Sequence, residues 1–360
     1  MPSLPEAPSP FQDAPCRRSL AALFRAVAAT AALAALGACG GGGSGGATPD
    51  PPSPSPPPAP APAPSPATPI AAQMSVPVSV GYDVDRLAAF NRLNEIRLSA
   101  GLGMLAQNAL LDRAAQAHAD WIIANDSFTH EEAAGSIGFT GARWWDRDEA
   151  LGYVPVGGEE VMAGIVHGAQ GVDVLINGVY HRAGMLAFEP VDIGIGWSAL
   201  SAANISMPLV IDVTRPGTDA VRGLGQAAQP SIEGVAIWPL DAAHDVPLRL
   251  GLESPNPVPG QDVLSLGTPV SITVGRDTTI TVDSFAMTEV TSGAVVSARL
   301  LTVQTDPNSL LPGSFVALVP LNALAPNTSY AVAFSGSTLT FPSVVPVVVT
   351  RTWSFTTSAE

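Results

Sequence analysis

The first globular region takes its fold from residues 90–121, which read FNRLNEIRLSAGLGMLAQNALLDRAAQAHADW. Around the start of this stretch, apolar side chains recur every three residues, which places them on one face of a helix: Leu87, Phe90, Leu93 and Ile96. Gly101 and Gly103 come next, as glycines commonly follow the C terminus of a helix. We therefore predict a first helix from about Asp83 to these glycines.

A second helix is predicted over residues 108–124. Asn108 is its predicted N-cap, because an Asn side chain can accept a hydrogen bond from the first free amides of a helix. The buried stripe of this helix is predicted to contain Leu110, Ala114, Ala117, Trp121 and Ala124. A short helix over 143–151 and a further helical segment over 161–178 are predicted beyond it.

Two runs of apolar and β-branched residues, 193–197 and 209–213, are predicted to be strands. Helices that come first and strands that follow indicate an α/β sandwich, which we place at residues 83–215.

Residues 118–186 gather most of the groups that could bind a metal or move a proton. They hold four of the five histidines, a Gly-Glu-Glu segment at 158–160 that we predict to be a turn, and Tyr-His-Arg at 180–182. The hypothesis is that His130, Glu159 and His181 meet in one cleft. The spacing of these residues alone does not show that they converge.

Five segments of this region occur in a characteristic order. They are the quoted stretch at 90–121, SFTH at 127–130, GGEEVMAG at 157–164, NGVYHRAGML at 177–186 and DIGIGW at 192–197. This order resembles the CAP superfamily, which includes cysteine-rich secretory proteins, venom antigens and plant pathogenesis-related proteins, and it is similar to the bacterial branch. The resemblance implies an α-β-α sandwich with a cleft lined by two His and one or two Glu.

The resemblance also assigns positions in that cleft. His130 matches the first family His, Glu159 the Glu of a Gly-Glu-Asn motif, and His181 the second His. Glu160 stands where Asn is usual, and we keep it as a further candidate for ligand binding. The family's second Glu, on the helix before the second His, has no clear counterpart, and Leu175 stands where that helix usually has Trp.

Two His and one Glu allow more than one chemistry. They could hold a divalent metal such as zinc with an open position for water, or act without metal as a general base with an orienting carboxylate. Alternatively, Glu159 or Glu160 could cap a helix at its N terminus. A structural role without any site therefore stays open for each residue taken singly.

The other polar groups are interpreted as structural. His118 is predicted to pack at the edge of the core, and His167, in a Gly-rich turn, to be exposed. Asp146, Asp148 and Glu149 could form a calcium site, but we favour a solvated helix face. Beyond the Gly/Ser-rich run at 40–47, no Gly-x-Ser-x-Gly elbow, phosphate-binding loop or cysteine nucleophile is present.

Charge and composition exclude one class of partner. The formal charge is −15, and every basic residue is Arg. Nucleic-acid binding needs Lys and Arg gathered on one face, and the sequence shows no such cluster. We interpret the acidity as a means of solubility.

The N terminus is predicted to be an export signal. Arg17-Arg18 precede an Ala/Leu-rich run over 20–36, which is too short for a membrane span and typical of a secretory signal. Leu36-Gly37-Ala38-Cys39 resembles a bacterial lipobox, so residues 1–38 are predicted to be removed and Cys39 to be lipidated. An ordinary cleaved signal with a chance cysteine is the alternative.

A linker is predicted over 39–75, Gly/Ser-rich at first and then Pro-rich. Such a composition does not form a packed core and favours polyproline II, so twenty of its residues would span roughly 60 Å. Signal and linker together are predicted to be disordered, and the protein to be an anchored or secreted one whose globular part stands away from the membrane.

The C-terminal half, 234–360, is predicted to be β-rich. Short apolar runs separated by turn residues indicate a β-sandwich. PLNALAPNTSYAVAFSG and RTWSFTT, within 262–360, resemble bacterial Ig-like domains. Trp353 and Phe355 are predicted to be core residues, and the region is interpreted as a spacer or adhesive module without a site.

Three functions follow as hypotheses. The first is an exported bacterial protein whose cleft binds a small ligand, a lipid, an envelope polymer or a divalent metal. The second is a metal-assisted hydrolase of an envelope or extracellular peptide, glycan or lipid, with His130, Glu159 and His181 as its catalytic candidates. The third is a structural envelope protein with a vestigial cleft.

Overall fold

The computed structural model describes residues 73–164, 167–199, 208–216, 234–251 and 253–360. All of them lie in one compact unit, 64–360. The predicted signal peptide, Cys39 and the linker up to residue 72 fall outside the described residues.

The first part of the chain alternates helices and strands. Its helices are α1 Val84–Ser99, α2 Ala109–Asn125, α3 Trp144–Ala150, α4 Gly168–Ile176 and α5 Tyr180–Met185. Its strands are β1 Ala106–Gln107, β2 Pro155–Ala163, β3 Asp192–Trp197 and β4 Leu209–Pro216. They form one sheet in the order β1-β3-β4-β2, so β2 is an edge strand.

Helices cover both faces of this sheet. Val161, Ile195 and Ile211 belong to the hydrophobic cluster that contains the buried residues of α1 and α4. Their neighbours Met162 and Val210 belong instead to a cluster with α2. Because successive side chains of a strand point to opposite faces, the two clusters lie on opposite sides of the sheet. The prediction of an α-β-α sandwich is confirmed.

Two glycines of β3 bring α2 directly onto the sheet. A Cβ at Gly194 would lie 2.2 Å from the carbonyl carbon of Leu111, and a Cβ at Gly196 would lie 2.2 Å from the backbone nitrogen of Gln116. No other residue fits at either position without moving the helix. The DIGIGW segment therefore sets the distance between α2 and the sheet.

The predicted helical segment over 161–178 is wrong in its first part. Residues 161–163 end strand β2, and helix α4 begins only at Gly168. Val161, Met162 and Ala163 are all buried, because helices cover both faces of the strand. A strand of this kind is a continuous apolar run, which periodicity cannot distinguish from a buried helix.

The buried face of α2 is also rotated from the prediction. Leu110 and Ala117 are half-buried and Ala124 is exposed, whereas the buried side includes Leu111, Ala114, Ala115, His118, Ala119, Trp121 and Ile122. The many alanines of this helix mark its inner face poorly. His118 consequently lies inside the core instead of at its edge.

The second part of the chain consists of two four-stranded sheets. Its strands are β5 Ala236–Trp238, β6 Ala243–Val246, β7 Val270–Thr273, β8 Thr278–Glu289, β9 Ala298–Leu301, β10 Phe315–Pro320, β11 Ser329–Thr340 and β12 Val347–Thr357. The sheet orders are β5-β7-β10-β9 and β6-β12-β11-β8. All pairs are antiparallel except β6 with β12. Trp353 and Phe355 are core residues, as predicted, and the Ig-like assignment stays a prediction.

Helix α5 is embedded in the second part of the chain. Val179, Tyr180 and Ala183 share a hydrophobic cluster with Phe315 and other buried residues of that part. The fully buried guanidinium of Arg182 donates to the carbonyl oxygen of Pro269, at 2.9 Å. The C-terminal part therefore supports the helix that carries His181, which differs from the predicted spacer without a site.

No helix in the described part of the chain is long and apolar enough to cross a membrane.

Candidate functional site

Glu159 and Glu160 are neighbours on the edge strand β2 and lie on opposite faces of the sheet. Glu160 is 4% exposed, whereas Glu159 is open to solvent. Residues 158–160 are therefore a strand instead of the predicted turn, and neither Glu caps a helix. The alternation of a strand gives the two carboxylates different surroundings.

Glu160 is the centre of a buried ion-pair network. Its Oε2 accepts a hydrogen bond from Arg147 Nη2 at 2.5 Å, and its Oε1 accepts one from His130 Nδ1 at 2.9 Å. His118 Nε2 lies 3.8 Å from the same Oε1. Burial alone would raise the pKa of Glu160, but His130, Arg147 and His118 lower it to about 2. Glu160 is consequently an ionised carboxylate throughout the neutral range.

His118 and Glu132 fix the loop that carries His130. His118 Nδ1 lies 3.0 Å from Glu132 Oε1, and its Nε2 lies 3.0 Å from the carbonyl oxygen of Thr129. Glu132 also accepts from the backbone amide of Thr140 at 2.6 Å. Although burial raises the pKa of Glu132, these bonds and the charge of Arg147 lower it overall. His118 thus has a structural role: from helix α2 it holds Thr129 and Glu132, which lie on either side of His130 in the chain.

Two further carboxyl groups, those of Asp212 and Asp148, lie close to Glu160. Asp212 faces Glu160 across the β2–β4 pair, and Asp148 is fully buried. Neither oxygen of Asp148, nor Oδ1 of Asp212, has a hydrogen-bond partner within the described chain. Burial and the charge of Glu160 raise the pKa of Asp148 to about 7 and that of Asp212 well above its usual range. The predicted solvated helix face is therefore wrong for Asp148.

His130 connects this buried network to solvent. Its side chain is 47% exposed, while Nδ1 is held by Glu160. Burial lowers the pKa of His130, but the hydrogen bond to Glu160 and the charges of Glu160 and Glu159 outweigh burial and raise it. Nδ1 donates to an ionised carboxylate, so Nε2 is the ring nitrogen left for a ligand.

Glu159 lies against helix α5. A Cβ at Gly184 would come within 2.6 Å of Glu159 Cγ, so the methylene groups of the Glu159 side chain pass directly over this glycine. His181 precedes Gly184 by three residues and shares its side of the helix. The surrounding protein removes part of the hydration of Glu159 and raises its pKa, while the charges of His130 and His181 lower it in part. Both histidines therefore act on this one carboxylate.

His181 is held by a carboxylate from the second part of the chain. Glu253 Oε1 lies 3.0 Å from His181 Nδ1. The same carboxylate accepts from the backbone amides of Val179, Tyr180 and His181. The family's second Glu has no clear counterpart on the preceding helix, and the structure supplies a carboxylate here from outside that region.

The structure thus brings His130, Glu159 and His181 to one edge of the sheet, with Glu160 behind His130. Within the described chain, the Glu159 carboxylate and the Nε2 atoms of both histidines make no hydrogen bond. No three His, Cys, Asp or Glu side chains among the described residues are close enough together to hold a metal ion. The donor types suit zinc, but their arrangement does not form a complete metal site.

His167 does not take part. Its Nδ1 lies 2.7 Å from Asp85 Oδ1 and its ring stacks on Trp197, with ring centroids 4.6 Å apart. It is half-buried, whereas we predicted an exposed side chain, because two neighbouring elements enclose it. A shallow cavity of about 450 Å³ between α2 and α3 has Arg147 among its lining residues and includes none of His130, Glu159 and His181.

Arg147, Asp212 and Glu253 are not among the site residues predicted from the sequence. Arg147 is the one basic residue of helix α3 and lies between Asp146 and Asp148, and this placement was a signal for ion pairing. Asp212 interrupts an apolar strand, which is unusual enough to mark a buried polar contact. Glu253 has no comparable signal, since 72 residues separate it from His181.

A comparison with protein-family models gives one match. The model of the CAP family, described as the cysteine-rich secretory protein family, matches residues 90–203. A comparison with curated proteins gives no match.

Two solved structures are similar to part of the chain. One is an outer surface protein from Borrelia burgdorferi, with 16% identity, a TM-score of 0.31, and coverage of 35% of this chain and 89% of that one. The other is an extracellular protein containing a SCP domain from Bacillus anthracis str. Ames, with 18% identity, a TM-score of 0.30, and coverage of 36% of this chain and 40% of that one. The family match includes His130, Glu159 and His181, and it identifies residues 90–203 as a domain of the CAP, or cysteine-rich secretory protein, family.

Proposed function

We propose that the protein binds a polar ligand at the edge of its CAP sheet, through His130, Glu159 and His181. The observation that carries the proposal is that each of the two imidazoles has Nδ1 against a buried carboxylate, Glu160 or Glu253. This leaves Nε2 of each ring, together with the Glu159 carboxylate, without a partner in the described chain. Carboxylates that hold histidines in this way orient the second ring nitrogen toward whatever the site binds.

The ligand is expected to carry hydrogen-bond donors. An imidazole that donates through Nδ1 accepts through Nε2 when it is neutral, and an ionised carboxylate only accepts. Hydroxyl, amide and ammonium groups satisfy such acceptors. The formal charge of −15 disfavours anionic ligands. A glycan or peptide of the cell envelope has the required chemistry.

A divalent metal is the other occupant that these donor types suit. Because no three suitable side chains in the described residues form a metal-binding group, the geometry gives the metal-assisted hydrolase no support. Calorimetric titration of Zn²⁺ into the chain from residue 64 to 360 separates the two occupants. Heats that disappear in a His130→Ala/His181→Ala variant would make the metal the occupant.

Saturation-transfer NMR with soluble glycan and peptide fragments of bacterial envelopes tests the polar ligand. We expect at least one fragment to bind the chain from residue 64 to 360, and Glu159→Gln and the double His variant to abolish its signal. Glu159→Gln keeps the shape of the side chain and removes the charged acceptor. Fragment signals that are equal in all three proteins would contradict the assignment.

We also propose that the chain is exported and anchored by lipid at Cys39. Support comes from the sequence alone: Leu36-Gly37-Ala38-Cys39 follows an apolar run with a basic flank. Two or more acyl chains give stable anchoring, at about 0.8 kcal/mol per buried methylene. Cell fractionation is expected to move the Cys39→Ser variant from the membrane to the soluble fraction. Unchanged membrane association would exclude the anchor.

A further inference from the structure

We propose that Glu253 is the positioning residue of His181. It holds the proton of the neutral imidazole on Nδ1, so that Nε2 is presented as a hydrogen-bond acceptor. Glu253 lies between β6 and β7, outside the family match at 90–203. The inference rests on the proposed function only for what Nε2 binds, whereas the state of the ring is a property of the protein alone.

The contacts of Glu253 fix where the proton lies. Its side chain is fully buried. It accepts from the amides of Val179, Tyr180 (2.8 Å) and His181 (3.3 Å). Backbone amides only donate, so both oxygens of Glu253 act as acceptors: Oε2 for Val179, and Oε1 for Tyr180 and His181. In the contact of 3.0 Å with the same Oε1, His181 Nδ1 is therefore the donor.

The carboxylate of Glu253 and the imidazole of His181 both pack closely against Gly178. A Cβ at Gly178 would lie 2.8 Å from Glu253 Oε1 and 3.1 Å from His181 Nδ1. Gly178 therefore allows the carboxylate and the imidazole to approach each other beside the start of α5. Asn177, the residue before Gly178, donates to the carbonyl oxygen of Leu250 at 3.0 Å. This hydrogen bond holds the segment before Glu253 close to the start of α5.

The consequence is a ring whose tautomer is opposite to the usual one. A neutral histidine in water favours the proton on Nε2, and the group that faces the other nitrogen decides the state in a protein. Glu253 selects Nδ1–H at His181 as Glu160 does at His130. The second part of the chain thus determines how the CAP cleft presents one of its two imidazoles.

The test is the tautomer of His181, measured by long-range ¹H–¹⁵N correlation on histidine-labelled protein from residue 64 to 360. The spectrum is recorded above the titration range of the ring. In the unmodified protein we expect a protonated, pyrrole-type Nδ1 and a pyridine-type Nε2. A protonated Nε2 would overturn the inference without any variant being needed.

Variants then separate positioning from general support of α5. Glu253→Ala is expected to reverse the two ¹⁵N signals of His181, and Gly178→Ala, which displaces the carboxylate, to shift the ring toward the same tautomer. Tyr180→Phe is the matched control, because it removes the hydrogen bond of 2.6 Å to Asp306 at the same interface but leaves Glu253 in place. We expect it to retain Nδ1–H.

An unchanged tautomer in folded Glu253→Ala, or a reversal in Tyr180→Phe equal to that in Glu253→Ala, would contradict the positioning role. If Glu253→Ala does not fold, the unmodified protein and Gly178→Ala decide. A failed ligand screen with the expected tautomer overturns the proposed function alone. A ligand signal with the opposite tautomer overturns this inference alone.

Discussion

Glu159 and Glu160 show how one step along a strand separates two functions. Glu160 points to the α2 face, where Arg147 and His118 surround it. Glu159 points to the opposite side, over Gly184 of α5. The buried carboxylate is held by Arg147 and holds His130, whereas the solvent-facing one makes no hydrogen bond within the described chain. Two carboxylates that are adjacent in the sequence therefore lie on opposite faces of the sheet.

Replacing Glu160 is expected to destabilise the protein strongly. Glu160→Gln leaves the buried guanidinium of Arg147 without its carboxylate, and breaking a buried ion pair costs about 3–5 kcal/mol. The pKa of Glu160 is about 2, below its ordinary 4.5. Its contribution is therefore present above pH 4.5 and lost as the pH falls toward 2. Urea unfolding at a series of pH values measures both effects.

The matched control for this variant is Glu131→Gln, which changes an exposed carboxylate of the same loop. It is expected to alter the free energy of unfolding by less than about 0.5 kcal/mol. An equal loss in both variants would show that Glu160 stabilises the protein only through its general charge.

Asp148 is expected to have the opposite pH dependence. Its pKa is raised from 3.8 to about 7, so the folded protein keeps it protonated while the unfolded chain releases the proton. The contribution of Asp148 to the free energy of unfolding is fully present below pH 3.8 and is lost as the pH rises through 7. Asp148→Asn removes this loss, and we expect the variant to gain on the order of 2–4 kcal/mol relative to the unmodified protein between pH 4 and pH 8.

Urea unfolding at pH 4 and pH 8 measures this gain. Glu149→Gln, which changes an exposed neighbour of Asp148, is the control. Its effect on unfolding should be small and similar at both pH values. A stability difference between Asp148→Asn and the unmodified protein that stays constant from pH 4 to pH 8 would show that Asp148 is ionised in the folded state.

At the scale of elements, the helices that begin at a capping residue could be predicted from the sequence, whereas the edge strand β2 could not. Asp83 accepts hydrogen bonds from the amides of Asp85 and Arg86, and Asn108 accepts one from Leu110, so both helices begin where a capping residue stands. Strand β2 carries no such local signal. Its last residues are buried on both faces, and only the partner strand β4 shows that the backbone is extended.

The contact between α2 and β3 can be tested through its glycines. Gly194→Ala would place a Cβ within 2.2 Å of the backbone of Leu111, which forces the helix and the sheet apart. Overpacking of this kind is expected to lower the free energy of unfolding by about 3 kcal/mol or more. Chemical denaturation followed by far-UV circular dichroism measures the change.

Gly275→Ala is the control for the glycine variant, because the nearest atom to its Cβ would be 4.0 Å away. It should change stability by less than about 1 kcal/mol. Equal effects of the two substitutions would mean that lost chain flexibility, and not the approach of α2, governs stability at Gly194.

At the scale of the whole molecule, the sequence selected the candidate site residues but not the groups that hold them in place. The family resemblance selected His130, Glu159 and His181, which the structure brings to one edge of the sheet. It could not select Glu253, since that carboxylate follows a different strand and reaches α5 only after the β sheets fold against it. Contacts between distant segments of this kind depend on the packing of both parts and leave no pattern in either.

The shared core around α5 predicts that both parts of the chain unfold together. Phe315 is fully buried in β10 and belongs to the cluster that contains Val179 and Tyr180. Phe315→Ala is therefore expected to lower the stability of both parts by about 3–5 kcal/mol. Calorimetry on the chain from residue 64 to 360 should show one transition, shifted as a whole, whose calorimetric and van't Hoff enthalpies agree.

Hydrogen exchange resolves the same question by position. Amides of α2 and of β11 should lose protection by equal free energies in Phe315→Ala, because one cooperative unit opens as a whole. Val348→Ala, at a residue 77% exposed, should leave both unchanged. A loss confined to β11 would mean that the two parts fold independently. His181 would then keep its position without the C-terminal sheets, whereas a loss in both parts ties the cleft to the stability of the second half of the chain.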